Sequence, residues 1–323
     1  MLRSLAILFI LFGLSACHSA RHVELDTADY MIVKAGSSDT FASLSKQYLG
    51  TEYAVDALKR LNPHITEAQN QMVAIPKSNP YPRGIFSDRY QLIPVLCYHQ
   101  FTDDPSKVKP MVLHVDDFKK QMAYLQENGY SVITLEQLSA FVNGELSIPE
   151  KSVVITIDDG YKSFYEYAFP ILEQYQFDAT VFIYPDFVGG RLSLTWKQLN
   201  QLEAHPLISI ESHSNTHDNL KRRESDPNLN RYLDRLEQEV ITPQRYFDRR
   251  LNKQTQFFAY PFGDTSRELI DLLDKQDYEL AFTVERGSNA AYSPEFLMKR
   301  NMIFGGRSFN DFVRALDTYE PLE

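Results

Sequence analysis

The 323-residue chain is 43% hydrophobic and 24% charged, proportions of a globular protein long enough for two domains, which excludes disordered and collagen-like structure. Its 33 basic against 43 acidic residues leave a net charge of −10, and with no basic run to trace a phosphate backbone the sequence speaks against nucleic acid as a partner. Two cysteines, Cys17 and Cys97, are too few for a disulfide framework or a thiolate metal site, so stability has to come from a core.

In chain order, residues 1–16 come first. Arg3 precedes the apolar run Leu5–Leu14, and Leu14-Ser15-Ala16-Cys17 forms a small-residue cleavage site. The run is shorter than the roughly 20 apolar residues a membrane-spanning helix needs. It resembles a bacterial lipoprotein signal, which implies cleavage before Cys17 and a diacylglycerol on its thiol. His18 and Ser19 follow, with no acidic retention residue, so the same resemblance implies a lipid anchor on the periplasmic side of the outer membrane. An ordinary cleaved signal peptide is the alternative.

After a tether over 17–29, alternation in Tyr30–Val33 and Met72–Ile75 predicts short strands. Phe41, Leu44 and Tyr48, then Val55, Leu58 and Leu61, supply apolar faces at helical spacing. This strand, helix, helix, strand order over 30–76 resembles a LysM domain, which implies binding to the N-acetyl groups of glycans such as peptidoglycan. It departs from the family pattern at Ser37-Ser38-Asp39 and Asn70-Gln71, and a spacer without a ligand is the alternative. Pro76, Pro80, Pro82 and Gly84 place a linker at 77–90.

Over 91–323 short apolar runs alternate with helical patterns. The runs are Ile93–Tyr98, Val132–Thr134, Val153–Ile157, Thr180–Tyr184, Leu207–Ile210, Phe257–Tyr260, Leu280–Val284 and Met298–Ile303. Helices are expected at 116–128, 164–175, 196–204, 228–249, 265–276 and 310–319, with Asp116, Thr195 and Thr265 near their starts as caps. The charged helix Asn228–Arg250 reads as a solvated face. Strands followed by helices predict an α/β fold with a parallel sheet, and about eight units fit a distorted (β/α) barrel, with a doubly wound open sheet as the alternative.

In a barrel the chemistry sits where strands end. The first run ends at Tyr98-His99, the third at Asp158-Asp159-Gly160, the fifth at Glu211-Ser212-His213 with His217 four further on, and the sixth at Tyr260-Pro261-Phe262-Gly263. Adjacent carboxylates at a turn can split the roles of metal ligand and base. Histidines four apart on a helical turn can face one ion, so Asp159, His213 and His217 would form a three-ligand site. Tyr161, Tyr184, Trp196, Tyr260 and Phe262 stand at loop starts, where a ring can stack on a sugar. Cys97, inside a strand run, reads as a small buried apolar residue.

Thr156-Ile157-Asp158-Asp159-Gly160-Tyr161 and Ser212-His213-Ser214-Asn215-Thr216-His217 resemble the first two motifs of the NodB-homology polysaccharide deacetylases, metal-dependent esterases that remove acetyl groups from glycans. Phe258-Ala259-Tyr260-Pro261-Phe262-Gly263 resembles the third. Phe282–Gly287 and Leu297–Ile303 resemble the last strands of the branch acting on poly-N-acetylglucosamine. The resemblance implies Asp158 as general base, Asp159, His213 and His217 as ligands of a divalent metal, and the Tyr260 backbone N–H as an oxyanion donor. Zinc is the first expectation, with nickel, cobalt or iron also suited to these ligands.

The chain departs from the family pattern by lacking the third-motif arginine and any histidine after His217. Arg300 is the candidate to orient Asp158. His99 is the candidate acid, because a closed barrel sets its first strand beside its last and a small shift keeps an imidazole protonated at neutral pH. The resulting expectation is a lipid-anchored N-deacetylase of an N-acetylated polysaccharide, exopolysaccharide first and peptidoglycan second. A catalytically inactive glycan-binding lipoprotein and an O-acetyl esterase are the alternatives.

Overall fold

The computed structural model describes residues 23–49, 54–77, 84–86 and 89–321; the signal segment and Cys17 lie outside them. The chain divides into two units between Pro80 and Tyr81.

The small unit contains β1 (Val23–Asp26), β2 (Tyr30–Lys34), α1 (Phe41–Leu49), α2 (Val55–Leu61) and β3 (Met72–Pro76), with β2 antiparallel to both β1 and β3. Val33, Phe41, Leu44, Leu58, Val73 and Ile75 form its core. The buried Asn62 side chain donates to Leu58 O and Ala74 O at 2.8 Å and accepts from Ala74 N at 2.9 Å, tying α2 to β3. The exposed strand β1 was not expected, since Val-Glu-Leu-Asp buries no face.

The large unit opens with β4 (Arg89–Gln91), β5 (Ile93–Tyr98), β6 (Gln100–Thr102), β7 (Val112–His114), α3 (Val115–Glu127), β8 (Ser131–Val132) and α4 (Leu135–Val142). There follow β9 (Ser152–Ile157), a π turn at Phe164–Ala168, α5 (Phe169–Tyr175), β10 (Ala179–Ile183), α6 (Trp196–Glu203), β11 (Ile208–Ser212) and α7 (Leu229–Leu251). The unit ends with β12 (Phe257–Ala259), α8 (Arg267–Lys275), β13 (Leu280–Phe282), β14 (Ser288–Asn289), β15 (Asn301–Met302), α9 (Phe309–Val313) and β16 (Tyr319–Pro321). Thr195 caps α6 as expected, but His114 rather than Asp116 caps α3, and Ser266 rather than Thr265 caps α8.

The main sheet runs β13-β12-β11-β10-β9-β5-β14, with β15 also on β5 and β8 on β9. Its pairs are parallel except β14 with β5. The expected barrel is therefore a curled mixed sheet. Beyond β13 no ladder continues to β15 among the described residues; the segments are joined by an isolated bridge between Phe282 and Met298 and by a hydrogen bond from Arg300 N to Glu285 O at 3.0 Å.

Both faces of β5 and β9 are buried throughout, which is why they read as unbroken apolar runs. Alternation sends Leu96, Ile155, Val181 and Ile183 to the core shared with the helices. Val95, Val154, Phe182, Phe257 and Phe282 go to the other face. Counting on by twos, Cys97 and His99 follow Val95, and Thr156 and Asp158 follow Val154, so the polar residues at both strand ends share this second face.

Candidate metal centre

Asp158 and Asp159 leave β9 through a turn in which Asp159 and Gly160 both have φ of +72°. A Cβ on Gly160 would lie 2.7 Å from Ile183 Cγ2, so glycine lets the turn close against β10. The two carboxylates share one neighbour, His213, whose Nε2 lies 3.8 Å from Asp158 Oδ2 and 3.5 Å from Asp159 Oδ1, and otherwise meet different partners.

Asp158 is buried and faces Arg300. Its Oδ1 accepts from Nη1 at 2.7 Å and its Oδ2 from Nη2 at 2.8 Å, the bidentate fork that orients a carboxylate best. Arg300 is itself fully buried. Its Nε donates to Thr283 O at 2.9 Å, and Nη1 reaches Thr156 Oγ1 at 3.4 Å. Burial pushes the Asp158 carboxyl up, but Arg300 outweighs it and holds the group well below the usual carboxylate range. Cys97 is buried at the same spot, with Sγ 3.4 Å from Asp158 Oδ2, and burial raises its thiol pKa. It is a small inert neighbour of the carboxylate, not a nucleophile.

Asp159 faces two imidazoles. Its Oδ1 lies 3.5 Å from His213 Nε2 and 3.3 Å from His217 Nε2. That oxygen is buried and has no hydrogen-bond partner among the described residues. Donors about 2.0–2.2 Å from a tetrahedral ion stand about 3.3–3.6 Å apart, so the spacing fits a divalent cation. His213 Nδ1 lies 2.7 Å from Ala259 O; a carbonyl can only accept, so Nδ1 carries the proton and Nε2 presents its lone pair. Burial lowers the His213 pKa to about 3 and also lowers that of His217, leaving both as the neutral imidazoles a metal requires. Burial and the Asp158 charge push Asp159 up to about 7 in the metal-free protein.

The two histidines do not share a helical turn, as their spacing suggested. Residues 213–217 form a loop with positive φ at Ser214 (+67°) and His217 (+59°). Glu239 of α7 clamps it: Oε2 accepts from Asn215 N and Thr216 N at 3.0 Å, and Oε1 accepts from Thr216 Oγ1 at 2.7 Å. Ser214 Oγ accepts from His217 N at 3.0 Å. The charge pattern of Asn228–Arg250 suggests a solvated face for Glu239, but the side chain is buried. Its position within the buried stripe Tyr232, Leu236, Val240, Pro243 and Phe247 was the signal that could have singled it out.

Other expectations need correction. The Tyr260 amide donates to Phe282 O at 3.0 Å, and its ring is buried with Oη on Phe296 O, so Tyr260 does not present a free N–H. The next amide after Pro261 belongs to Phe262, at φ +60°, and among the described residues that N–H has no carbonyl partner. The Phe262 ring is 60% exposed and lies 4.8 Å from the His217 ring, so it is a better candidate for both amide and stacking chemistry.

Trp196 stacks on Tyr246 at 6.2 Å, with Arg250 over its ring, and so belongs to the packing of α6 on α7. Tyr161 does stand near the centre, edge-on to Phe187 at 5.3 Å; Tyr184 stacks on Phe187 and lies 5.1 Å from the His217 ring. His99 comes within 4.8 Å of the Asp158 carboxylate and Cys97. Burial lowers its pKa despite the pull of Asp158, so it rests neutral, contrary to the expectation of a standing imidazolium. Glu211 is buried beneath the site, where Oε2 accepts from Gln256 N and Phe257 N at 3.0 Å and Lys253 lies 3.0 Å from Oε1. It joins β11 to β12.

Residues 146–281 match the family model described as polysaccharide deacetylase. YxkH of Bacillus subtilis, named for polysaccharide deacetylation, is 27% identical over 283 residues, 88% of this chain and 95% of that protein. The poly-β-1,6-N-acetyl-D-glucosamine N-deacetylase of Escherichia coli K12 is 25% identical over 260 residues, covering 70% of this chain and 38% of that longer protein. Among solved structures, the Streptococcus pyogenes deacetylase PplD in complex with acetate superposes with a TM-score of 0.61 at 25% identity, over 70% of this chain and 98% of its own. In sequence over residues 146–281 and in the fold of its large unit, the chain is thus similar to polysaccharide deacetylases.

Proposed function

We propose that the protein is a metal-dependent N-deacetylase of a polysaccharide containing N-acetylglucosamine. The observation that carries this reading is the unpartnered buried Asp159 Oδ1 set between His213 Nε2 and His217 Nε2, next to a carboxylate held ionised by Arg300. Asp159, His213 and His217 are the residues to hold the ion, with zinc the first choice for one carboxylate and two imidazoles. Such an ion, when bound, lowers the pKa of water and polarises an acyl oxygen.

The chain's own groups do the rest. Asp158, oriented by the Arg300 fork, takes the proton from the attacking water. Arg300 thereby fills the part of the absent third-motif arginine. The Phe262 N–H is the oxyanion donor, worth roughly 2.7–4 kcal/mol by analogy with other such donors. His99, neutral at rest and close to Asp158, receives that proton and passes it to the leaving amine. The products are acetate and a glucosamine unit.

The relatives named for poly-β-1,6-N-acetyl-D-glucosamine support an exopolysaccharide of that kind as first substrate. For the small unit, the order β2, α1, α2, β3 supports a LysM-type glycan-binding role. The test is acetate release from poly-β-1,6-N-acetylglucosamine and from O-acetylated and peptidoglycan oligomers, with and without chelator. Chelator-sensitive release from the N-acetylated polymer is expected. No release from any of them with metal restored would overturn the enzymatic reading in favour of a glycan-binding protein.

A further inference from the structure

We propose that a second cavity beside the metal centre is a glycan subsite for an oxyanion, a carboxylate or phosphate carried by the sugar next to the acetylated one. This rests on the deacetylase reading and departs from it in substrate, since poly-β-1,6-N-acetylglucosamine carries no acidic neighbour and an acid-bearing glycan would.

The cavity, about 400 Å³, is bordered by the ends of β13 and β15 and by α3 and α9, a size ordinary for a sugar site. None of Asp158, Asp159, His213 and His217 lines it, but two of its lining segments contact residues that neighbour their site. Val284 is a lining residue and also packs so closely on Gly263, the neighbour of Phe262, that a Cβ there would meet it at 2.5 Å. Met302 and Ile303 line it from the segment paired with Cys97, where Ile303 N donates to Cys97 O at 2.9 Å, two residues before His99.

Charge sets the ligand class. The lining acids are engaged: Asp311 with Arg314 and the Ser308 hydroxyl, Asp117 with Lys120 at 3.9 Å. Arg286 and Arg307 both line the cavity, and among the described residues neither has a carboxylate partner. Both arginines are exposed at the cavity, free of a competing carboxylate among those residues, and their planar forks match an oxyanion. Phe304 and Phe309, the latter 41% exposed, offer the apolar surface that a pyranose face covers. An uncharged polymer would leave both arginines unused.

The experiment uses the full chain loaded with zinc and N-acetylated oligosaccharides of equal length whose neighbouring sugar is neutral, carboxylated or phosphorylated. Expected is a kcat/KM preference for an anionic over the neutral oligomer of about tenfold, the scale of one charge-assisted hydrogen bond. It should reside in KM, shrink with added salt and disappear in the Arg286→Gln/Arg307→Gln double variant. The better of the two anions identifies the source. A wild-type protein that favours the neutral oligomer, or a preference unchanged in the double variant, would overturn the subsite. Arginine-dependent binding of the anionic oligomer, read by calorimetry, with no turnover of any oligomer would uphold the subsite and overturn the deacetylase reading.

Discussion

Asp158 and Asp159 are neighbours in sequence with opposite electrostatic fates, and each fate has a nameable cause. Asp158 is buried against a guanidinium and stays ionised, whereas Asp159 is buried against two neutral imidazoles and the Asp158 charge and rises to about 7. Asp158→Asn should therefore keep the metal, measured by equilibrium dialysis, while losing deacetylation; near-normal turnover would refute its role as base. Arg300→Met removes the group that offsets burial, so the Asp158 pKa must rise, and the acid limb of the kcat/KM profile should move to higher pH. A profile unmoved in that variant would mean the pair is only structural. For His99→Ala the expected result is intact metal binding with turnover lowered by about 10²-fold or more, the usual scale for a proton-transfer residue. Turnover within a few-fold of the parent would transfer the acid role to another group.

Among elements, the loop at 213–217 depends on α7 for its shape. Three donors of the loop end on Glu239, so Glu239→Ala leaves two backbone N–H groups and a hydroxyl without their acceptor, a cost of roughly 1–3 kcal/mol for each that stays buried. We expect metal affinity to fall about 10- to 100-fold, as for other groups that support metal ligands, with partial recovery in Glu239→Asp. Unchanged affinity in the alanine variant would show that the loop holds its shape alone. Elements of this kind were unequally legible in the sequence. The strands β5 and β9 were readable almost to the residue, because burial on both faces leaves an uninterrupted apolar run with polar residues at its end. Asp158, Asp159, His213 and His217 were visible for the same reason. Tyr260 was misread because a sequence does not mark where a ladder stops: its N–H still belongs to the sheet, and the first amide clear of it is that of Phe262, beyond Pro261. The Arg300 fork joins residues 142 apart, so the sequence could suggest the arginine and not its geometry. Glu239 was hidden because local charge density masked the buried stripe.

At the scale of the whole molecule, the amino-terminal signal is an expectation with a direct test, since Cys17→Ser should release the protein from the membrane fraction if a thiol-linked lipid anchors it. Unchanged fractionation and processing would rule the anchor out. The metal centre also links to the stability of the large unit, because its donors come from the ends of β9 and β11, two positions in the curled sheet that only the fold brings together. An ion that binds the folded state alone stabilises it by about 2.7 kcal/mol at 100 times its Kd. For a unit of this size that is a rise in Tm of about 5–10 °C. The sign of its pH dependence follows from Asp159. With its folded pKa raised to about 7, this group contributes stability to the metal-free protein that is present below its unfolded pKa near 3.9 and is lost as pH rises through 7. The bound ion requires the carboxylate form and must displace that proton at low pH. The zinc-induced rise in Tm should accordingly be larger at pH 8 than at pH 6, and chelator should abolish it at both. Asp159→Asn should show almost no zinc-dependent rise. A rise of equal size in that variant would place the ion elsewhere, and a rise larger at pH 6 than at pH 8 would contradict a buried carboxylate as one of its ligands.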